Sequence, residues 1–179
     1  MLVIFLVLLI CAFFSIVWFT LKNGISPMPT SAKVKHVFLN SLPAKNSGAI
    51  LELGAGWGTL AFALAARYSN CKVLAYENSW VPFIFCKIRY FVTPYSNLKF
   101  VRCNFFDESF SQATLIVCYL YPGAMEKLQT KFEQELEKDT LIATHTFSLR
   151  EHKPFLVIHV KDLYNTPIFH YRIKNKTAR

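Results

Sequence analysis

The longest uninterrupted hydrophobic pattern in the chain lies at its start. Residues 2–21 contain no charge, proline or glycine, and Ser15 and Thr20 are their only polar positions. Twenty helical residues extend about 30 Å, the hydrocarbon thickness of a bilayer, and a long helix in a soluble core would keep a polar face. The pattern therefore predicts a transmembrane helix over residues 1–21, a linker over 22–29 that carries glycine and proline, and one further domain over 30–179.

A cleaved signal peptide is the alternative interpretation of this first segment. No Lys or Arg precedes the apolar run, the run is longer than a signal-peptide core, and no small-residue cleavage site ends it. A retained anchor is therefore favoured. Because Lys22, Lys33 and Lys35 follow the helix and no basic residue precedes it, the positive-inside rule predicts that the rest of the chain lies in the cytoplasm.

After the linker, short apolar runs alternate with amphipathic stretches. The runs predict strands over 49–53, 72–76, 98–103, 114–120, 140–147, 155–160 and 167–173, and the stretches predict helices over 30–42, 59–68, 80–91 and 125–138. Apolar strands separated by helices are typical of a parallel sheet covered on both faces. The connection over 148–154 is too short for a crossover helix, so the last strands should pair antiparallel. The predicted fold class is α/β, a three-layer and mostly parallel sheet with antiparallel C-terminal strands.

Composition and charge narrow the choice of partner. A chain of 179 residues that is 53% hydrophobic excludes a disordered protein, and a net charge of +9 favours an anionic partner. The basic residues are scattered, and no added recognition domain is visible, so an anionic membrane surface explains the charge more simply than nucleic acid. The five cysteines and five histidines have no metal-ligand spacing. We expect no nucleic-acid partner and no metal.

The strongest chemical signal is a glycine loop between the first strand and helix of this domain. It reads Glu52-Leu-Gly54-Ala-Gly56-Trp-Gly58, and Glu77 ends the next strand. Glycines let the backbone turn sharply and approach a ligand closely, and a carboxylate at the second strand end can bind ribose hydroxyls. A dinucleotide fingerprint would require glycine where Thr59 stands, which makes a nicotinamide oxidoreductase the weakest alternative.

These motifs resemble the class I S-adenosylmethionine-dependent methyltransferases over roughly residues 48–147. The resemblance implies a Rossmann-like methyltransferase fold with S-adenosyl-L-methionine as the cofactor. The cofactor-binding residues that it implies are Glu52, Gly54, Ala55, Gly56, Trp57, Gly58, Glu77, Asn78, Asn104 and Phe105. In this assignment Glu52 balances the cationic methionine end, and Glu77 holds the ribose. Asn104 stands where the family usually has an aspartate that binds the adenine amine, and Asp107 is the alternative for that role. Phe106 is the alternative to Phe105 as the residue that covers the adenine ring.

The end of the fourth strand of the domain carries a second, narrower resemblance. Many amino-group methyltransferases have Asp/Asn-Pro-Pro-aromatic there, whereas this chain has Tyr119-Leu-Tyr121-Pro122. That sequence, with the apolar N-terminal helix, is similar to small membrane-anchored bacterial methyltransferases and to the mitochondrial protein-lysine N-methyltransferases. We expect Tyr119 and Tyr121 to be the catalytic residues, because aromatic faces tolerate sulfonium and methylated ammonium groups; packing at the strand end is the alternative for both. The similarity implies that Thr30 and Ser31 contact the substrate or the cofactor, and we expect Pro122 to contact the substrate. Helix capping is an equal alternative for Thr30 and Ser31.

The function expected from this resemblance is N-methylation of lysine in a membrane or membrane-proximal protein, by an enzyme held at a membrane such as the bacterial inner membrane. Two alternatives stay open. One is methylation of a lipid-soluble small molecule, such as a quinone precursor or a phospholipid. The other is a cofactor-binding but non-catalytic membrane interaction protein, which the missing acid at the fourth strand favours.

Overall fold

The structure is a computed structural model that describes residues 1–24, 26–136 and 140–173. Its helices are α1 (Leu2–Asn23), α2 (Ala32–Ser41), α3 (Thr59–Arg67), α4 (Trp80–Val92) and α5 (Pro122–Glu135). Its strands are β1 (Ala49–Leu53), β2 (Lys72–Glu77), β3 (Leu98–Arg102), β4 (Ala113–Cys118), β5 (Leu141–His145), β6 (Leu156–His159) and β7 (Pro167–Arg172). These elements match the predicted alternation closely.

The seven strands form one sheet in the order β3-β2-β1-β4-β5-β7-β6. Strands β1 to β5 are mutually parallel, and β7 runs antiparallel to both β5 and β6. The predicted mixed sheet with an antiparallel C-terminal part is therefore confirmed. Strands β2 and β3 follow on one side of β1, and β4 and β5 lie on the other side, so the strand order reverses once, between β1 and β4. The carboxyl ends of parallel strands at such a switch point are where α/β sheets bind ligands.

The sheet has a separate apolar layer on each face. Phe38 of α2, Leu64 of α3 and Cys86 of α4 pack on one face, whereas Leu128 and Phe132 of α5 pack on the other. Neighbouring residues along a strand supply alternate faces, which explains why these strands are apolar throughout. The packed helix layers cover the two faces of the sheet and leave a cleft at the carboxyl edge of the parallel strands.

Among the differences from the sequence prediction, two boundaries and one turn have clear local reasons. Helix α5 begins at Pro122, three residues earlier than predicted, because proline suits the first position of a helix; its predicted end at Lys138 lies outside the described residues. Strand β5 ends at His145 because Thr146 has a left-handed φ of 71°. A short 3₁₀ turn at Phe105–Asp107 was not predicted, and the side chain of Asn104 caps it.

Helix α1 extends two residues beyond the predicted span, so that Lys22 and Asn23 belong to the helix rather than to a linker. Within the described residues, it is the one helix long and apolar enough to cross a membrane, with a mean hydropathy of 3.1 in its most apolar stretch. None of that stretch is buried in the protein. A signal sequence can have the same length and composition as α1. The core helix of a soluble protein would instead be mostly buried by the rest of the protein.

Candidate functional site

A cleft of about 490 Å³ lies at the carboxyl edge of the parallel strands. Its volume is in the usual range for small-molecule sites. The predicted site residues in its wall are Thr30, Glu52, Gly54, Ala55, Gly56, Trp57, Glu77, Asn78, Asn104, Phe105, Tyr119 and Tyr121. Ser31, Gly58 and Pro122 are not in the wall. The fold therefore gathers residues spaced over ninety positions of sequence into one cavity.

The glycine loop is tied to the end of β2 by backbone hydrogen bonds. The N–H groups of Gly54 and Ala55 donate to the carbonyl of Tyr76 at 3.0 and 2.8 Å. The N–H of Gly56 donates to Oε2 of Glu77 at 2.7 Å, and the N–H of Ser79 donates to Oε1 at 2.7 Å. Each carboxylate oxygen keeps a further lone pair, so Glu77 can still accept from a ligand.

Glu52 is the unusual polar group of the cleft. Its side chain is buried, and its Oε2 has no hydrogen-bond partner. Burial first, and the nearby carboxylate of Glu77 second, raise the pKa of Glu52 well above its ordinary value. A buried carboxylate oxygen without a hydrogen-bond partner is costly, and a cationic ligand group would offset that cost. This orphaned oxygen fits the cationic methionine end of S-adenosylmethionine.

The three loop glycines face different neighbours. A Cβ built on Gly56 would have no atom within 4 Å, and the loop is open there. A Cβ on Gly54 would come within 2.7 Å of the Leu120 side chain. One on Gly58 would approach Sγ of Cys86 at 3.0 Å. Gly56 therefore gives a ligand room in the cleft, whereas Gly58 allows α3 and α4 to pack closely.

Trp57 connects the loop to the segment that precedes α2. Its indole N–H donates to the carbonyl of Pro27, and its ring meets that of Phe85 edge to face at 5.2 Å. Pro27 and Thr30 also line the cleft. The segment between α1 and α2 therefore forms one side of the cavity rather than an independent linker.

The side chains that follow β3 divide between the cleft and the local turn. The amide of Asn104 accepts from the N–H of Phe106 at 3.3 Å and donates to Asp107 at 3.1 Å. The rings of Phe105 and Phe106 lie 4.6 Å apart, and both line the cleft. Asp107 does not line it. Asn104 thus holds the turn that presents two aromatic rings to the cavity.

Tyr119 lies in an aromatic stack that the sequence did not predict. Its ring stacks on His145 with the centroids 4.2 Å apart and on Phe147 with the centroids 6.3 Å apart. Nε2 of His145 is 3.2 Å from Oγ1 of Thr30, and Nδ1 is 3.1 Å from Oγ1 of Thr146. Burial lowers the pKa of His145 to about 4, so the ring is neutral at physiological pH.

Tyr121 lies at the start of α5 and against the end of α1. A Cβ on Gly24 or on Gly123 would come within 2.8 Å of its ring, so both glycines permit this packing. Pro122 is the exposed first residue of α5. Ser31 caps α2, since its hydroxyl accepts from the N–H of Val34 at 3.3 Å. The capping interpretation therefore holds for Ser31, while Thr30 reaches the cleft.

The end of α1 also forms part of the cleft wall. Lys22 and Asn23 line it. Nδ2 of Asn78 donates to Oδ1 of Asn23 at 2.9 Å, and Nδ2 of Asn23 donates to Oγ of Ser79 at 3.2 Å. Sequence reasoning missed Asn23, Ser79 and His145, whose partners are distant in the chain. One signal was available for two of them: Asn23 lies just beyond the predicted transmembrane helix, and Ser79 follows Glu77 and Asn78.

Comparisons with known proteins agree with this geometry. A model of the ANTKMT methyltransferase domain matches residues 52–155. A protein-lysine N-methyltransferase of Saccharolobus islandicus (strain REY15A) is 28% identical over 138 residues, which cover 75% of this chain and 84% of the relative.

Solved structures share the fold. An RNA methyltransferase from Salinibacter ruber in complex with S-adenosyl-L-homocysteine has a TM-score of 0.74 at 19% identity, covering 85% of this chain and 97% of its own. A precorrin-6y C5,15-methyltransferase from Geobacter metallireducens GS-15 has a TM-score of 0.63 at 14% identity, covering 82% and 90%. The Rossmann-like methyltransferase fold expected from the sequence is confirmed.

Proposed function

The chain belongs to the ANTKMT methyltransferase domain family and is an S-adenosylmethionine-dependent methyltransferase, and from this premise we propose that α1 anchors it in a membrane, where it N-methylates lysine side chains of proteins in or beside that membrane. In this proposal residues 1–21 are the anchor, and residues 30–179 are a catalytic domain on the cytoplasmic side. The archaeal relative, a protein-lysine N-methyltransferase, supports lysine as the acceptor.

The main support for the proposal is that the end of the proposed anchor helix lines the cleft. Lys22 and Asn23, at the end of the apolar helix, line the same cavity as Glu52 and Gly56. If α1 spans a bilayer, the cavity lies at the level where the chain leaves it. An acceptor that reaches this cavity then comes from the membrane surface.

The residues present fit the cofactor. Glu77 would accept the ribose hydroxyls with its two remaining lone pairs, and Asn78 lies beside it. Glu52 would offset positive charge at the methionine end, and Gly56 would leave room for it. Phe105 would cover the adenine ring. S-adenosylmethionine supplies an activated methyl group on a sulfonium sulfur, so the chain itself needs no covalent nucleophile.

The aromatic wall suits a cationic cofactor and an amine acceptor. The faces of Tyr119 and Tyr121 tolerate sulfonium and methylated ammonium groups. Neutral His145 supports Tyr119 without adding a charge that would repel them. The acceptor amine must be uncharged to react, and the apolar surroundings lower the pKa of a lysine that enters them. The chain's contribution is then to hold the amine in line and to exclude water.

A label-partition experiment tests this function. Purified full-length protein is incubated with S-adenosylmethionine carrying a labelled methyl group and with membranes from cells that lack the protein. We expect label in the protein fraction, in lysine, and a loss of label with Glu77→Gln. Glu151→Gln, at an exposed glutamate outside the cleft, is the matched control. Label confined to lipid would favour the small-molecule alternative, and cofactor binding without any labelled product would favour a non-catalytic protein.

A further inference from the structure

Helix α4 has two faces of opposite environment. Pro82 and Cys86 are buried against the sheet. The other face consists of large apolar side chains that are largely exposed: Trp80 at 49%, Ile84 at 48%, Ile88 at 62%, Phe91 at 89% and Val92 at 75%. Their spacing of three and four residues places them along one stripe of the helix. We call these five residues the α4 stripe.

An exposed apolar stripe of this size marks a contact surface, and its position indicates what it contacts. Helix α1 contacts α4. Asn23, the last residue of α1, bonds to Ser79, which is the N-cap of α4. The half-buried positions of α1 lie only in its second half, at a spacing of three and four residues from Ala12 to Asn23. Helix α4 therefore lies directly beside the apolar helix α1.

The charged residues on α4 and in the chain that follows it are all basic. Residues 78–106 contain Lys87, Arg89, Lys99 and Arg102 and no acidic residue. The guanidinium of Arg102 lies 3.8 Å from the ring centre of Trp80, and Nζ of Lys87 lies 5.8 Å from that of Tyr90. Apolar and aromatic side chains beside Lys and Arg are typical of a helix that lies in the interface of an anionic bilayer.

We propose that the α4 stripe inserts into the interfacial layer of the same membrane that holds α1, with the flanking basic residues against anionic headgroups. This inference rests on the proposed anchoring by α1 and adds a second, independent membrane contact. In this placement the stripe holds the catalytic domain against the membrane surface at a second place, beside the end of α1. Because the Trp57 ring contacts Phe85 of α4, this placement also brings the glycine loop close to the membrane surface.

Spin labels on the full-length protein test the contact. In a background with Cys11→Ser and Cys103→Ser, which leaves three buried cysteines, a label is placed by Ile88→Cys or Phe91→Cys. The protein is reconstituted in vesicles of phosphatidylcholine and phosphatidylglycerol. Accessibility of the label to dissolved oxygen, which concentrates in lipid, is compared with accessibility to a water-soluble nickel chelate.

Two reference labels separate the possible failures. Leu9→Cys reports on the proposed anchor, and Val157→Cys lies on β6, at the opposite end of the sheet from β3. We expect the accessibility of the label to oxygen to exceed its accessibility to the chelate at positions 9, 88 and 91, and the reverse at position 157. Lipid exposure at 9 with chelate exposure at 88 and 91 would overturn this inference alone, whereas chelate exposure at 9 would contradict the anchor.

Low accessibility to both reagents at positions 88 and 91 would mean that protein covers the stripe, either a second copy or another chain, and would also overturn the inference. Vesicles of phosphatidylcholine alone test the charge contribution. We expect the excess of oxygen over chelate to fall at positions 88 and 91 and to remain at position 9. An unchanged excess at all three positions would contradict a role for the basic residues.

Discussion

The side chains of Asn23 and Asn78 share a hydrogen bond of 2.9 Å, which joins the end of α1 to the residue that follows Glu77. Asn23 also donates to Ser79, whose N–H in turn donates to Glu77. Helix α1 is thus linked by two side-chain contacts to the segment that carries the acid proposed to hold the ribose.

Asn23→Ala removes both contacts from the end of α1. A net loss of about 1 kcal/mol corresponds to roughly fivefold weaker cofactor binding, which calorimetry with S-adenosylhomocysteine measures. Asn40→Ala is the matched control, because Asn40 bonds to His36 on exposed α2. Equal affinity in the Asn23 variant and the wild type would show that the end of α1 does not support the cofactor site.

Alanine at Gly54 and at Gly56 should separate folding from binding. Both glycines have a left-handed φ, of 76° and 53°, and a left-handed alanine costs about 1–2 kcal/mol in either case. Gly54→Ala must also displace Leu120, so it should lower Tm further. Gly56→Ala fills space in the cleft, so it should keep more stability and lose more affinity. The reverse order would contradict the proposed position of the cofactor.

The pH dependence of binding tests Glu52. Because the pKa of this buried acid is raised, the fraction ionised in the free protein increases as pH rises through that pKa. An ionised Glu52 attracts a cation, so affinity for S-adenosylmethionine should rise with pH. S-adenosylhomocysteine lacks the sulfonium charge and should show a smaller rise. An unaltered slope in Glu52→Gln would exclude this role, and equal slopes for the two ligands would exclude an effect of Glu52 on the sulfonium.

Substitutions of Tyr119 distinguish its ring from its hydroxyl. Tyr119→Phe keeps the stack on His145 and should change kcat little, whereas Tyr119→Leu removes the aromatic face. A lost cation–π contact of about 0.5–2 kcal/mol corresponds to a decrease of roughly 2- to 30-fold. Tyr164→Leu, at an exposed position outside the cleft wall, controls for general effects. A leucine variant as active as the phenylalanine variant would exclude an aromatic role.

Local patterns predicted most of the fold, because each strand is a short apolar run bounded by polar or glycine residues. The glycine loop, Glu52 and Glu77 lie at strand ends, and strand ends converge in any parallel sheet. Their placement in one cleft therefore follows from topology. The predicted start of α5, at residue 125, is three residues too late. Proline often breaks a helix, but Pro122 is the first residue of this one.

The parts that sequence reasoning missed depend on contacts between distant segments. His145 reaches Thr30 across 115 positions, and Asn23 reaches Asn78 across 55. No local pattern links such pairs, since each is formed by packing. Residues 80–91 were predicted as a helix with no exposed apolar stripe, because the sequence alone does not show which apolar face the sheet covers.

The most direct test of lysine methylation at the membrane is peptide mapping by mass spectrometry. Membrane proteins are compared from cells with the wild-type chain, with Glu77→Gln and without the chain. We predict methyl additions on lysine of one or more membrane or membrane-associated proteins that are present only with the wild-type chain. Membrane proteins with the same lysine methylation in all three samples, or methyl additions confined to other residue types, would contradict it.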